Sequence, residues 1–233
     1  MKILKITVVF LIITFVSCKS KQTTVVVSDA PKIINQVSFI ENPKIFQQVI
    51  ADSTFVNLKD YSNDFVYDMK YATDDNFLKA KVYDCAECFL RLKTVKALIE
   101  ANEIFKTKGF KIKLFDCYRP LDVQKKMWQI VSNPDYVANP KTGSIHNKGC
   151  AVDITLVDFS GKDLDMGTAF DFFGKEASHN YLQLSNEVLQ NRKLLKSVMK
   201  EVKFNSFDSE WWHYNLASGL NDKISNEKWK CNH

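Results

Sequence analysis

From Leu92 onward the apolar positions Leu92, Val95, Leu98, Ile99 and Phe105 recur at steps near three and four, and the run stops at Gly109. This spacing predicts an amphipathic helix over 92–108 with a glycine just past its C-terminal end. Phe110-Lys111-Ile112-Lys113-Leu114 then alternates as a half-buried strand does, leading into Asp116-Cys117-Tyr118-Arg119-Pro120. Beyond Pro120, residues Leu121, Met127, Trp128 and Val131 predict a second helix with the proline at or near its first turn. Residues 132–148, rich in Asn, Pro, Lys, Gly and Ser, read as a flexible loop, and Ala151–Val157 as a second strand. Val188–Val202, with Leu195, Val198 and Met199, predicts a third helix, and the aromatic-dense stretch Phe204–Tyr214 a strand or strand edge. Strands and helices do not alternate with parallel-sheet regularity and no internal repeat is visible, so the expected class is α+β.

The first residues follow a different logic. Met-Lys-Ile-Leu-Lys, a short apolar run from Ile6 to Val16 and then Ser17-Cys18 form the charged, apolar and small-residue regions of a secretory signal. The run is too short to span a bilayer. Cys18 directly after Phe15-Val16-Ser17 resembles the lipobox of bacterial lipoproteins, in which the thiol is diacylated and becomes the mature N-terminus. Two acyl chains anchor a protein stably where one does not. The expected organisation is therefore a signal peptide at 1–17, a lipidated N-terminus and tether at 18–50, and one folded domain at 51–233, held at the bacterial envelope and facing the periplasm, or secreted or periplasmic if Cys18 is not lipidated.

Composition narrows the field further. Of 233 residues, 45% are hydrophobic and 25% charged, with 7 Gly and 5 Pro, which fits a globular chain and excludes a collagenous or low-complexity one. The formal charge is +5, and +3 once Lys2 and Lys5 are removed (30 basic against 27 acidic). So mild and dispersed an excess does not provide the basic stripe that nucleic-acid binding requires. Without Cys18 the cysteines are Cys85, Cys88, Cys117, Cys150 and Cys231, an odd number in a compartment that permits disulfides, so at least one thiol is free or paired between molecules. Cys85-Ala-Glu-Cys88 has CxxC spacing, but no second pair completes a zinc knuckle, and a structural role is expected.

Chemistry concentrates in two segments. Ser144-Ile145-His146-Asn147-Lys148-Gly149-Cys150-Ala151-Val152-Asp153 carries an imidazole in the loop and a carboxylate at the start of an apolar strand, where burial is costly unless a cation neutralises it. Glu210-Trp211-Trp212-His213 adds a second imidazole with a carboxylate before it. His146, Asp153 and His213 make a three-ligand set of the kind that leaves zinc a fourth position for water or substrate. Glu210 is placed to take the proton of the activated water. His179 and His233 fall outside this set; His179 is expected to pack or cap locally, and Trp211, Trp212 and Tyr214 to form core or pocket wall.

SxHxxGxAxD followed by ExWWH resembles the paired signature of the zinc D-alanyl-D-alanine dipeptidases, the VanX-like enzymes, and more distantly the D,D-carboxypeptidases. Lys70-Tyr71-Ala72-Thr73-Asp74-Asp75-Asn76-Phe77 is similar to the family's KYAT-x-DNF, Asp116–Pro120 to its D-x-YRP, and Met166–Asp171 to its MG-x-x-FD. The resemblance covers about residues 53–216 and implies a single domain with a central, mainly antiparallel sheet flanked by helices. It implies one Zn²⁺ on His146, Asp153 and His213, Glu210 as base, and Arg119 stabilising the oxyanion. Asp171 and Tyr71 would hold the free ammonium of a D,D-dipeptide, and Ser144 its terminal carboxylate. The implied reaction is hydrolysis of D-Ala-D-Ala, in wall turnover or in removal of a glycopeptide-sensitive precursor; turnover is favoured. Trimming of stem peptides by a D,D-carboxypeptidase is the alternative within the same chemistry, and a metal-stabilised peptidoglycan-binding lipoprotein the non-catalytic one. The lipobox and Cys88, Cys117 and Cys150 depart from the soluble members without touching a proposed ligand.

Overall fold

A computed structural model describes residues 50–231; Cys18, the signal and nearly all of the tether lie outside the described residues, as does His233. The elements are β1 (Phe55–Asn57), β2 (Val66–Tyr67), β3 (Phe89–Arg91), α1 (Leu92–Lys106), β4 (Phe110–Asp116), α2 (Leu121–Ile130), β5 (Ala151–Asp158), α3 (Asn186–Glu201), β6 (Phe204–Phe207) and β7 (Glu210–Leu216). A five-stranded sheet has the order β2-β4-β5-β7-β6, antiparallel except for the β2–β4 pair, and β1 pairs with β3 in a small antiparallel sheet. The class is α+β with a mainly antiparallel central sheet. No helix among the described residues is long and apolar enough to cross a membrane.

Local chemistry accounts for most boundaries. Gly109, at φ +88°, ends the α1 segment, Pro120 sits just before α2, and the Ser185 hydroxyl accepts from Val188 N–H to open α3. β5 is buried from Ala151 through Val157 because it is the middle strand. Its Val152, Ile154 and Leu156 join Val95, Leu98 and Phe105 of α1 and Leu195, Val198 and Met199 of α3 in the main core. Asp153 and Thr155, alternating with them, point to the opposite face.

Two expectations need correction. The 132–148 segment is not loop throughout, and His146 is not in a flexible part of it: Ile145–Lys148 form a 3₁₀ turn, closed by a capping box between Ser144 and Asn147 and ended by Gly149 in the left-handed region. Phe204–Tyr214 is not one strand but the hairpin β6–β7, because Asp208-Ser209 turns the chain. The CxxC cysteines have the expected structural role, each in its own disulfide: Cys88 bonds Cys117 and Cys85 bonds Cys231, while among the described residues Cys150 is a free, buried thiol. Short β3 also intervenes between CxxC and α1.

Gly149 marks the tightest approach. Its φ is +72°, and a Cβ there would lie 2.2 Å from the Phe55 ring of β1, while its carbonyl accepts from Arg91 N–H and the Thr94 hydroxyl. Gly149→Ala is therefore expected to destabilise by about 1–3 kcal/mol through backbone strain and the clash, measured as a lower urea midpoint at unchanged slope.

His179 packs against Tyr214 as expected, with its ring held at a pKa of about 4 by burial and then by Lys196 and Arg192, which outweigh Asp208. The folded ring stays neutral where the unfolded one, near pH 6.5, takes a proton. Stability thus falls as pH drops from about 6.5 toward 4. His179→Gln is expected to flatten that part of the dependence, read as a smaller loss of urea midpoint between pH 7.5 and pH 5 than in the wild type.

Candidate metal and peptide site

The site is assembled on the face of the sheet opposite α1 and α3. Asp153 of β5 is paired in register with His213 of β7 on one side and with Asp116 of β4 on the other. The second pairing depends on a bulge, since the β4–β5 register shifts between Leu114 and Asp116. Regular alternation would place Asp116 beside Ile112 and Leu114 in the core; the extra residue turns it to the site.

The donor atoms are fixed from behind. His146 Nδ1 is 2.7 Å from the Cys117 carbonyl oxygen, which can only accept, so Nδ1 carries the proton and Nε2 is bare. His213 Nε2 lies 2.9 Å from Asn215 Oδ1 and Nδ1 2.9 Å from Asp153 Oδ1; a proton held on Nε2 by Asn215 would leave Nδ1 to a cation. Asp153 is held ionised below its usual range: burial opposes this, and His146 and His213 outweigh it. Nε2 of His146, Nδ1 of His213 and an Asp153 oxygen lie within 4.8 Å of one another. The two nitrogens are 3.2 Å apart, His213 Nδ1 lies 2.9 Å from Asp153 Oδ1, and His146 Nε2 lies 3.3 Å from the other carboxylate oxygen, Oδ2. A tetrahedral zinc with bonds of about 2.0–2.1 Å has ligand-to-ligand edges of roughly 3.3 Å. The three donors therefore fit a single small divalent cation. Burial weakens protonation of His146, but Asp153 and Asp116 outweigh it and raise its pKa, so the cluster attracts positive charge.

Asp116 is fully buried. One oxygen accepts from Tyr83 O–H at 2.7 Å and from Cys117 N–H at 2.9 Å; the other receives the Arg119 guanidinium. Arg119 is also fixed by Gln124 Oε1 at 3.0 Å, and among the described residues its Nε has no partner. Burial disfavours its charge, yet Asp116 more than compensates and keeps it cationic. Asn147 ties the two segments together, donating to the Arg119 carbonyl at 2.7 Å.

All eight proposed residues within the described chain, Tyr71, Arg119, Ser144, His146, Asp153, Asp171, Glu210 and His213, line one cleft of about 540 Å³. Glu210 is half-buried, and burial raises its carboxyl pKa above the usual value, with Asp153 adding to the effect and His213 opposing it. Asp171 adopts φ +57°, which is uncommon for a residue other than glycine. It accepts from Tyr71 O–H at 2.9 Å, and desolvation followed by the Asp153 charge pushes its pKa well up. The Ser144 hydroxyl accepts from His146 N–H at 3.2 Å, so its first task is to cap the turn that carries His146. Sequence reasoning gave no role to Asp116, Tyr83, Gln124, Asn147 or Asn215. Asp116 heads a recognisable motif, but the others are positioned by contacts between distant segments.

Two imidazoles and a carboxylate converging in a cleft beside a free acid define the class: a centre with the donor set of a metal-dependent hydrolase. The D-ala-D-ala dipeptidase family model matches residues 51–230, and the chain belongs to that family of peptidases. It is 31% identical over 183 residues to a D-alanyl-D-alanine dipeptidase of Escherichia coli, covering 78% of this chain and 95% of the relative. To a D-alanyl-D-alanine dipeptidase of Enterococcus faecium it is 30% identical over 174 residues, covering 64% and 85%. Among solved structures, the vancomycin-resistance D,D-pentapeptidase VanY in complex with Zn(II) is similar at a TM-score of 0.38 and 16% identity, over 55% of this chain and 73% of that one. A likeness at that level bears on neither substrate nor mechanism.

Groups that orient a metal-binding imidazole set its affinity. Asn215→Ala is expected to weaken Zn²⁺ binding about 10–100-fold, measured by competition with a chromophoric chelator; an unchanged affinity would show that the Nε2 hydrogen bond is dispensable.

Proposed function

We propose that the protein is a zinc-dependent D-alanyl-D-alanine dipeptidase, with one ion on His146, Asp153 and His213, hydrolysing D-Ala-D-Ala to two D-alanines in cell-wall peptide turnover. The observation that carries this reading is the convergence of three potential metal-donor atoms in the cleft that also holds Glu210, Arg119 and Asp171. A bound zinc would supply a water that ionises near neutral pH and positive charge for the substrate carbonyl.

Glu210, with its carboxyl pKa raised toward the working range, takes a proton from the attacking water and returns it to the leaving amine. Arg119 stabilises charge developing on the carbonyl oxygen, and its immobilisation by Asp116 and Gln124 means that no reorganisation is needed during the reaction. The carboxyl of Asp171 is disfavoured as an anion by desolvation and by Asp153; a substrate ammonium beside it would restore the anion and be held by it, with the Tyr71 hydroxyl fixing the geometry. Such a group at a set distance from the reaction centre selects peptides with a single residue before the cut. Beyond its cap, the Ser144 hydroxyl proton is available to the terminal carboxylate.

The test is release of D-alanine from D-Ala-D-Ala and from a stem pentapeptide, with L-Ala-L-Ala as control, alongside zinc content. Wild type is expected to prefer the dipeptide. Glu210→Ala should retain zinc and lose about 10²–10⁴ in kcat, and Asp171→Ala should lose dipeptide turnover. Preference for the pentapeptide would indicate a carboxypeptidase, and zinc without turnover of any peptide a binding protein.

We also propose that Cys18 anchors the protein at the bacterial envelope, which rests on the N-terminal sequence. Metabolic labelling with a tritiated fatty acid is expected in the wild type and absent in Cys18→Ser.

A further inference from the structure

The cleft has a second cavity behind one of its walls. This space of about 360 Å³ is lined partly by Phe172, Gly174 and Lys175, and it shares Asp135, Tyr136, Phe173, Ser209 and Glu210 with the catalytic cleft. Within the common wall the rings of Tyr136 and Phe173 stack at 4.5 Å. They come from different segments, Tyr136 from the one after α2 and Phe173 from the one that carries Asp171. Both are substantially exposed, 46% and 38%, although aromatic rings are normally withdrawn from water. Neither is loosely placed. Tyr136 N–H bonds the Asn133 carbonyl beside buried Val137, and the Phe173 ring meets Phe77 edge-on at 4.9 Å. Asp171, with its left-handed backbone, and Phe173, two residues on, both line the cleft.

We propose that the Tyr136–Phe173 stack is a length-determining wall. Resting on the dipeptidase reading above, it assigns a second component of specificity: Asp171 recognises an ammonium by charge, while the stacked rings occupy the space through which a longer acyl chain would have to leave the site. Charge alone would discriminate incompletely, because a longer peptide can carry its own cation to Asp171. A rigid wall excludes the chain itself, and removing it joins the cleft to the cavity behind.

The experiment compares kcat/KM for L-Lys-D-Ala-D-Ala with that for D-Ala-D-Ala in the zinc-loaded wild type, Phe173→Ala, Tyr136→Ala and the conservative Phe173→Tyr. The tripeptide-to-dipeptide ratio is expected to rise at least about 10-fold in Phe173→Ala, mainly through a lower tripeptide KM. It should rise in the same direction in Tyr136→Ala and stay at the wild-type value in Phe173→Tyr. A ratio within twofold of wild type in the folded alanine variants, or an equal rise in Phe173→Tyr, overturns the assignment. Should Phe173→Ala not fold, Tyr136→Ala, whose ring is the more exposed, decides alone. Failure of the dipeptidase reading shows separately, as a zinc-loaded wild type that does not cleave D-Ala-D-Ala.

Discussion

Asp116 and Asp153 stand opposite each other on neighbouring strands, both shielded from water, and like charges so placed destabilise a sheet unless each has its own source of positive charge. Asp116 has Arg119. Asp153 has the imidazoles of His146 and His213, whose ring nitrogens face it and each other and can carry a proton or a metal ion. The two carboxylates thereby divide the site into a half with built-in cationic charge and a half shaped to receive a cation. Much of the surrounding architecture keeps these halves in place: the bulge that turns Asp116 inward, the cap that holds His146, and Asn147, which joins the His146 turn to the Arg119 backbone.

Support comes from rigid elements and from cross-links rather than from the loops themselves. Asp153 and His213 sit on adjacent antiparallel strands, so their separation follows from the sheet spacing. His146 has no such guarantee, and it is tied by Gly149 against β1 and β3 and by the Cys117 carbonyl, whose own residue is bonded to Cys88. The C-terminal segment adds a strap: Ser225 N–H bonds the Asn147 carbonyl, Trp229 stacks on Phe89, and Cys231 is fastened to Cys85. Such cross-links persist in oxidising compartments, of which the proposed envelope location would be one.

Much of the frame was legible along the chain. The three helices lie within two residues of the stretches that periodicity marks, because an amphipathic face buried on a sheet must repeat at 3.6. The β6–β7 hairpin was hidden because Phe204, Trp211, Trp212 and Tyr214 mask the polar turn between them, and β1 and β3 because three-residue strands carry no period. The 3₁₀ turn at His146 was lost among loop-forming residues, although Ser144 and Asn147 spell its capping box.

Composition and motif order therefore determined which chemistry the protein carries: two imidazoles, an aspartate and a nearby glutamate have few common purposes on one domain, and residue type alone fixes what each can donate or accept. Which ring nitrogen faces the others, how Asp116 reaches Arg119, which cysteines pair, and how Tyr136 comes to lie on Phe173 were decided only in three dimensions. Each depends on contacts between segments far apart along the chain, and the direction of Asp116 depends also on a single inserted residue in β4, whose trace in the sequence is the break in alternation at Phe115-Asp116.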